Sequence, residues 1–184
     1  MQDAKTMKKA IQLLIGLFLA LVLAPLSPSA ADVNDFSFES FDATYEISVN
    51  DEEDKRPEMV VTEKLVANFP LIEQNRGIRR SIPLISYQLF PSLIEVLSVT
   101  DEAGKARDFE QTTDSEFLHL AIKSKDDSYV FGKQTYVIKY KQNWVITNWE
   151  SGDRNKEPSE FYWDINGNGW LQSFGRVSAT VILD

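Results

Sequence analysis

Asp164, Asn166 and Asn168, spaced two residues apart and followed by Gly169 in "FYWDINGNGW", place three side-chain oxygens at positions 1, 3 and 5 of a calcium-loop pattern. In such a loop the oxygens converge on one cation and a bidentate Glu closes the shell at position 12. That position here is Gly175, which leaves Asp164 as the only formal charge among the three ligands. The same letters have a second meaning. Asn166-Gly167 and Asn168-Gly169 supply left-handed residues for a tight turn between strands. The turn is the expectation carried forward, no cofactor is expected, and calcium at Asp164, Asn166 and Asn168 is the single metal reading the sequence offers.

A second chemical candidate lies in "MVVTEKLVANF". Met59, Val61, Leu65, Ala67 and Phe69 share one phase of a two-residue period, and Glu63 sits among them. A carboxylate buried without a partner costs several kcal/mol (order of magnitude) or is driven to its neutral form. Arg79 and Arg80 in "GIRRSIP" are the nearest cations, and a guanidinium holds a carboxylate through two parallel hydrogen bonds. The expectation is a structural ion pair that fixes how a loop packs on the sheet.

His119 is the sole histidine, so a Ser/His/Asp triad would have to run through it, and no "GxSxG" accompanies it. It reads as a solvent-facing strand residue opposite Leu118, Leu120 and Ile122. Trp144, Trp149, Phe161, Tyr162, Trp163 and Trp170 crowd the last third of the chain. Rings beside acids and amides build carbohydrate-binding surfaces, and they also fill cores. Trp144, Trp149, Tyr162, Trp163 and Trp170 are therefore the candidate binding residues, with no catalytic residue assigned. Glu160 with Asp164 could serve as paired carboxylates for glycoside hydrolysis, although spacing alone does not set their separation.

The elements that must position these groups read as strands. Phe41, Ala43, Tyr45, Ile47 and Val49 alternate with polar neighbours, as do Tyr136, Ile138 and Tyr140, and Val177, Ala179, Val181 and Leu183. Leu93–Val99 and Phe117–Lys123 add two shorter runs, the first closed by Asp101-Glu102-Ala103-Gly104. No long stretch after residue 31 carries a helical period. The fold expected is all-β, an antiparallel β-sandwich of immunoglobulin-like type. Residues 50–58 and 150–159 have the polar, charged composition of exposed loops.

Residues 1–31 read as a signal-peptide helix: Lys8 and Lys9, an apolar run from Ile11 to Ala24, then Ser29, Ala30 and Ala31 before a cleavage point at Asp32. The apolar run is short for a bilayer span. The domain expected is residues 32–184, exported and extracellular or at the cell surface, with membrane anchorage as the alternative, through an uncleaved N-terminal helix or a missing C-terminal segment. The whole chain has net charge −9, and loss of Lys5, Lys8, Lys9 and Asp3 with the leader makes it −11. Such acidity argues against nucleic acid and anionic lipid headgroups as partners. With no cysteine, neither disulfides nor thiol chemistry is open to the chain, and about 150 residues bury an adequate core without them.

Taken collinearly, "VVTEKLVANF", "GIRRSIP", "IEVLSVTDEAGK", "TYVIKY", "EFYWDINGNGW" and "RVSATVILD" resemble the extracellular N-terminal domain of the DUF2207 family of bacterial membrane proteins, across nearly all of residues 36–184. The resemblance implies a signal peptide, an external β-sandwich, then transmembrane helices and a cytoplasmic tail, with no characterised activity. It implies that Glu63 and Arg80 match recurring positions and that Tyr162-Trp163 begins a recurring strand and turn. Ser81, Asp164 and Gly169 depart from the residues common there. Membrane helices are absent from this sequence, so a truncated member, an excised domain or a secreted relative is expected.

The function these readings support is a non-enzymatic surface module that binds or packs against an envelope glycan or a membrane-protein partner. The rivals are an envelope glycan hydrolase using Glu63, Glu160 or Asp164, and a purely structural ectodomain.

Overall fold

The computed structural model describes residues 32–49, 57–84, 93–143, 145–148 and 159–184. The leader expected over 1–31, most of both polar loops, and Trp144 and Trp149 lie outside the described residues. Among those described, regular structure is nearly all β. The strands are β1 (Ser37–Val49), β2 (Pro57–Phe69), β3 (Gly77–Pro83), β4 (Ile94–Thr100), β5 (Phe109–Thr113), β6 (Phe117–Lys123), β7 (Gly132–Asn143), β8 (Thr147–Asn148), β9 (Ser159–Glu160) and β10 (Val177–Leu183), with one 3-10 turn at Lys125–Asp127. No helix among the described residues is long and apolar enough to cross a membrane.

Five strands form one sheet in the order β10-β1-β2-β7-β4, three form another in the order β3-β6-β5, and β8 pairs with β9. Alternation decides which side chains face inward. Met59, Val61, Glu63, Leu65, Ala67 and Phe69 of β2 are all buried, as are Leu118, Leu120 and Ile122 of β6, while their neighbours are more exposed. The inward rows of both sheets meet in one apolar cluster that also takes Phe41 and Tyr45 from β1 and Tyr136 and Ile138 from β7.

Two expectations need correction. "GIRRSIP" is a strand, β3, rather than a packing loop, and its pleat sends Ile78, Arg80 and Ile82 inward while Arg79 stays exposed. The fold is not purely antiparallel either, because β10 runs parallel to β1, with Ala43 opposite Ala179 and Tyr45 opposite Val181. Period-two alternation fixes the face of a side chain and carries no information about strand direction.

Bulges tune two strands. In β4 the register slips between Val96 and Ser98, so Val96 and Val99 both turn toward the core side and Leu97 is left exposed. In β1 the slip falls between Phe38 and Ser40. There the returning chain closes on β1, with Phe38 N–H donating to the Ser173 carbonyl and Gly175 N–H to the Phe38 carbonyl, both at 2.9 Å.

Candidate functional site

The structure gathers the chemically distinctive side chains at the junction of the two sheets. Glu63 comes from the middle of β2, Arg80 from β3, and Tyr140 from β7, where its neighbour Ile138 is the register partner of Glu63. Arg80 Nε donates to Glu63 Oε2 at 2.8 Å and Nη2 to Oε1 at 2.7 Å, a bidentate pair. Tyr140 O–H donates to the same Oε1 at 3.0 Å. Glu63 is 0% exposed and Arg80 3%. Three donors thus meet one fully buried carboxylate.

Electrostatics follow from that burial. Desolvation, reinforced by the Glu63 charge, pushes the Tyr140 hydroxyl well above the usual tyrosine range, and the same two causes raise Tyr45. Burial works against the Arg80 charge, yet the neighbouring carboxylate outweighs it and holds the guanidinium above its ordinary value. The protons of Tyr140, Tyr45 and Arg80 are therefore held more tightly than in water. A group that acts as general acid or base needs the opposite, a proton that moves near neutral pH and a path to substrate.

Arg80 has a second task. Its Nη1 donates to the Ser81 carbonyl at 2.9 Å and reaches the Asn166 carbonyl at 3.4 Å, while Trp170 Nε1 donates to that carbonyl at 2.7 Å. Tyr45 O–H donates to the Ile165 carbonyl at 3.1 Å. The "DINGNGW" segment is thereby tied to the core by a guanidinium, an indole and a phenol. Gly167 adopts φ +76°, a backbone conformation that favours glycine, and a Cβ there would press on Arg80 Nη1 at 3.3 Å.

Each candidate residue now has a place. Asp164 and Asn168 are exposed and Asn166 is half-buried, and the Asn166 carbonyl faces the protein's own cation. Among the described residues, no cluster of three His, Cys, Asp or Glu side chains could hold a metal ion. Glu160 is exposed at the end of β9. Tyr162-Trp163 follows β9 in irregular backbone, which corrects the strand implied there. Trp163 packs 5.9 Å from Tyr45 and 6.1 Å from Phe161, ring centre to ring centre, and Trp170 lies 4.8 Å from Phe38, so both indoles are partly buried against the core. Tyr162 is 68% exposed.

Sequence reasoning passed over Tyr140 and Tyr45. Both sit at ordinary core positions, and the one available signal was that a buried tyrosine hydroxyl needs an acceptor.

No curated protein matches the chain. Solved structures similar to it include a two-domain M1 zinc metallopeptidase bound to L-tryptophan (11% identity, TM-score 0.35, covering 65% of this chain and 22% of that one). Others are an M1 zinc metallopeptidase from Deinococcus radiodurans (8%, 0.33, 65% and 22%) and native leukotriene A4 hydrolase from Saccharomyces cerevisiae (17%, 0.35, 68% and 18%). The chain spans about a fifth of the length of these structures. A family model described as the N-terminal domain of a predicted membrane protein matches residues 38–184, the part that holds all ten strands but for Ser37, together with Glu63, Arg80 and the loop they anchor. The chain belongs to the DUF2207 family.

Proposed function

We propose that this is an exported binding and packing domain of the bacterial envelope, built as a β-sandwich, whose working surface is the β10 side of the five-stranded sheet and whose partner is a membrane protein. One observation carries the reading. Val177, Val181, Ile182 and Leu183 of β10 are 39%, 48%, 39% and 73% exposed, on the last strand of the sheet. Val177, Val181 and Leu183 share the face on which Phe41, Tyr45 and Ile47 of β1 are buried, so the core side of the sheet runs on past its cover. Among the described residues no strand pairs with the outer edge of β10, and an edge strand with exposed apolar side chains suits the addition of another chain.

The role requires no catalysis. Of the three carboxylates nominated, Glu63 alone is desolvated and its oxygens are occupied by three donors, while Glu160 and Asp164 are exposed, which argues against the carboxylate hydrolase reading. An envelope glycan is the second reading, carried by exposed Tyr162 beside Asp164. With Trp163 and Trp170 packed inward, that platform is small among the described residues.

The test is photo-crosslinking in cells with a benzoylphenylalanine at position 181, and at Glu110 on the exposed β5 as control. A membrane-protein adduct specific to position 181 supports the reading. Equal or absent adducts at both positions would sink it, and retention of the full chain on wall sacculi, lost in Tyr162→Ala, would move the assignment to a glycan.

A further inference from the structure

We propose that Ser81, His119 and Asp114 form a nucleophilic serine site that accepts small carboxylic esters in a cleft beside β3. This goes beyond the packing role and lies on the other sheet. β3 and β6 pair so that Ser81 stands opposite His119. Ser81 Oγ is 2.8 Å from His119 Nδ1, and His119 Nε2 is 2.9 Å from Asp114 Oδ2. A nucleophile, a base within hydrogen-bond reach, and a third group orienting the base make up the recurring logic of activated hydroxyls, recognised by geometry rather than by chain order.

The partners fix the tautomer. Asp114 Oδ1 accepts the backbone N–H groups of Glu116 and Phe117, both at 2.8 Å, in the turn that joins β5 to β6. These bonds lock the carboxylate in place. The contact with His119, aided by the two backbone donors, holds the Asp114 carboxyl down at about 2, so it is an acceptor at neutral pH. In the neutral imidazole, Nε2 then carries the proton toward Asp114, and Nδ1 presents its lone pair to the Ser81 hydroxyl.

Ser81 and His119 line a cleft of about 920 Å³, together with Arg79, Phe117, Trp170 and Leu171. Asp114 is not among the lining residues, as suits a group that acts through another. Arg79, two residues before Ser81 and on the same face of β3, is the cation that charge developing on a carbonyl oxygen would meet. The apolar walls suit a short acyl or alkyl group.

In the reaction, Ser81 Oγ attacks the ester carbonyl carbon while His119 Nδ1 takes the hydroxyl proton. Collapse of the tetrahedral adduct breaks the acyl carbon–oxygen bond, and the proton passes to the departing alkoxide to give the alcohol. Water then gives a proton to Nδ1 and attacks the acylated Ser81. The carboxylic acid leaves, and the proton returns to Oγ. Ester and water are consumed, and acid and alcohol are released. Asp114 is a positioning residue throughout.

The full chain would be treated with a fluorophosphonate and, separately, with p-nitrophenyl butyrate, and the adduct located by peptide mass spectrometry. The expected result is phosphonylation at Ser81, absent in Ser81→Ala and slower by at least about 10-fold in His119→Gln. Asp114→Asn keeps an acceptor for the two backbone N–H groups while turning an amide N–H toward His119 Nε2, which forces the wrong tautomer. It should slow labelling, and Asp114→Glu should recover part of the rate, a pattern that a merely structural turn would not produce. Ser81 unlabelled in the folded chain, labelled equally fast in His119→Gln, or ester hydrolysis unchanged in Ser81→Ala would each overturn the proposal.

Discussion

Glu63→Gln would leave the Arg80 guanidinium buried without a counter-charge, although the amide nearly preserves shape. Breaking one side of a buried pair typically costs about 3–5 kcal/mol, against order 1 kcal/mol for a neutral buried hydrogen bond. The expected outcome is a large fall in urea midpoint at unchanged slope. A loss below about 1 kcal/mol would mean the charge is not needed there. Tyr136 gives the opposite case: its ring is fully buried under Arg107, whose guanidinium lies 4.4 Å from the ring centre, and its hydroxyl has no hydrogen-bond partner among the described residues. Burial pushes that hydroxyl up to about 12. Tyr136→Phe should leave stability unchanged or raise it by up to about 2 kcal/mol, read in the same urea titration. At this scale the sequence showed that Glu63 needed a cation, since one charge interrupted an apolar row. The residues alone left Arg79 and Arg80 open, because that choice depends on recognising "GIRRSIP" as a strand, and the family resemblance is what pointed to Arg80, the arginine that holds Glu63.

Strands with one buried face announced themselves, and strands without one did not. β2, β6 and β7 bury every second residue, which is why their alternation could be read from the letters. β5 is exposed along its whole length, so "FEQTT" carries no apolar phase to find. The start of β3 was equally hidden, and it depends on backbone rather than side-chain chemistry. Gly77 opens that strand at φ +151°, and a Cβ there would fall 1.9 Å from the Ile122 carbonyl oxygen of β6. No L side chain fits without moving β3 away from its partner. Gly77→Ala should therefore cost about 1–3 kcal/mol, the range for strained backbone. It should also speed amide exchange in β3 and β6 while leaving β1, β2 and β7 protected. A silent Gly77→Ala would show that the β3–β6 edge yields freely, and would weaken every distance placed across it.

At the scale of the molecule, the open question is how firmly β10 is held, because a docking strand that detaches alone would present a different surface. β10 buries almost none of its own side chains, so its ladder to β1 is reinforced from one end. Arg176 Nη2 donates to both oxygens of Asp42 at 2.9 Å, and the Ser178 hydroxyl donates to Asp42 Oδ1. The Ser178 bond first, then those from Ser40 and Arg176, outweigh desolvation and depress the Asp42 carboxyl below its ordinary value. A carboxyl lowered on folding contributes stability above the unfolded value, about 3.9, and loses it as pH falls through the depressed one. Attachment of β10 should thus be complete at neutral pH and weaken only below about pH 4. Asp42→Asn should produce the loosened state at neutral pH, since an amide carries no charge and offers Arg176 one acceptor oxygen in place of two. Amides of Val177–Leu183 would then exchange faster, while those of β2 and β7 keep their protection. Unchanged exchange in β10 would mean that the parallel ladder suffices by itself. Global loss of protection would mean that β10 belongs to the cooperative core, and a partner would then meet a fixed edge rather than a strand free to move.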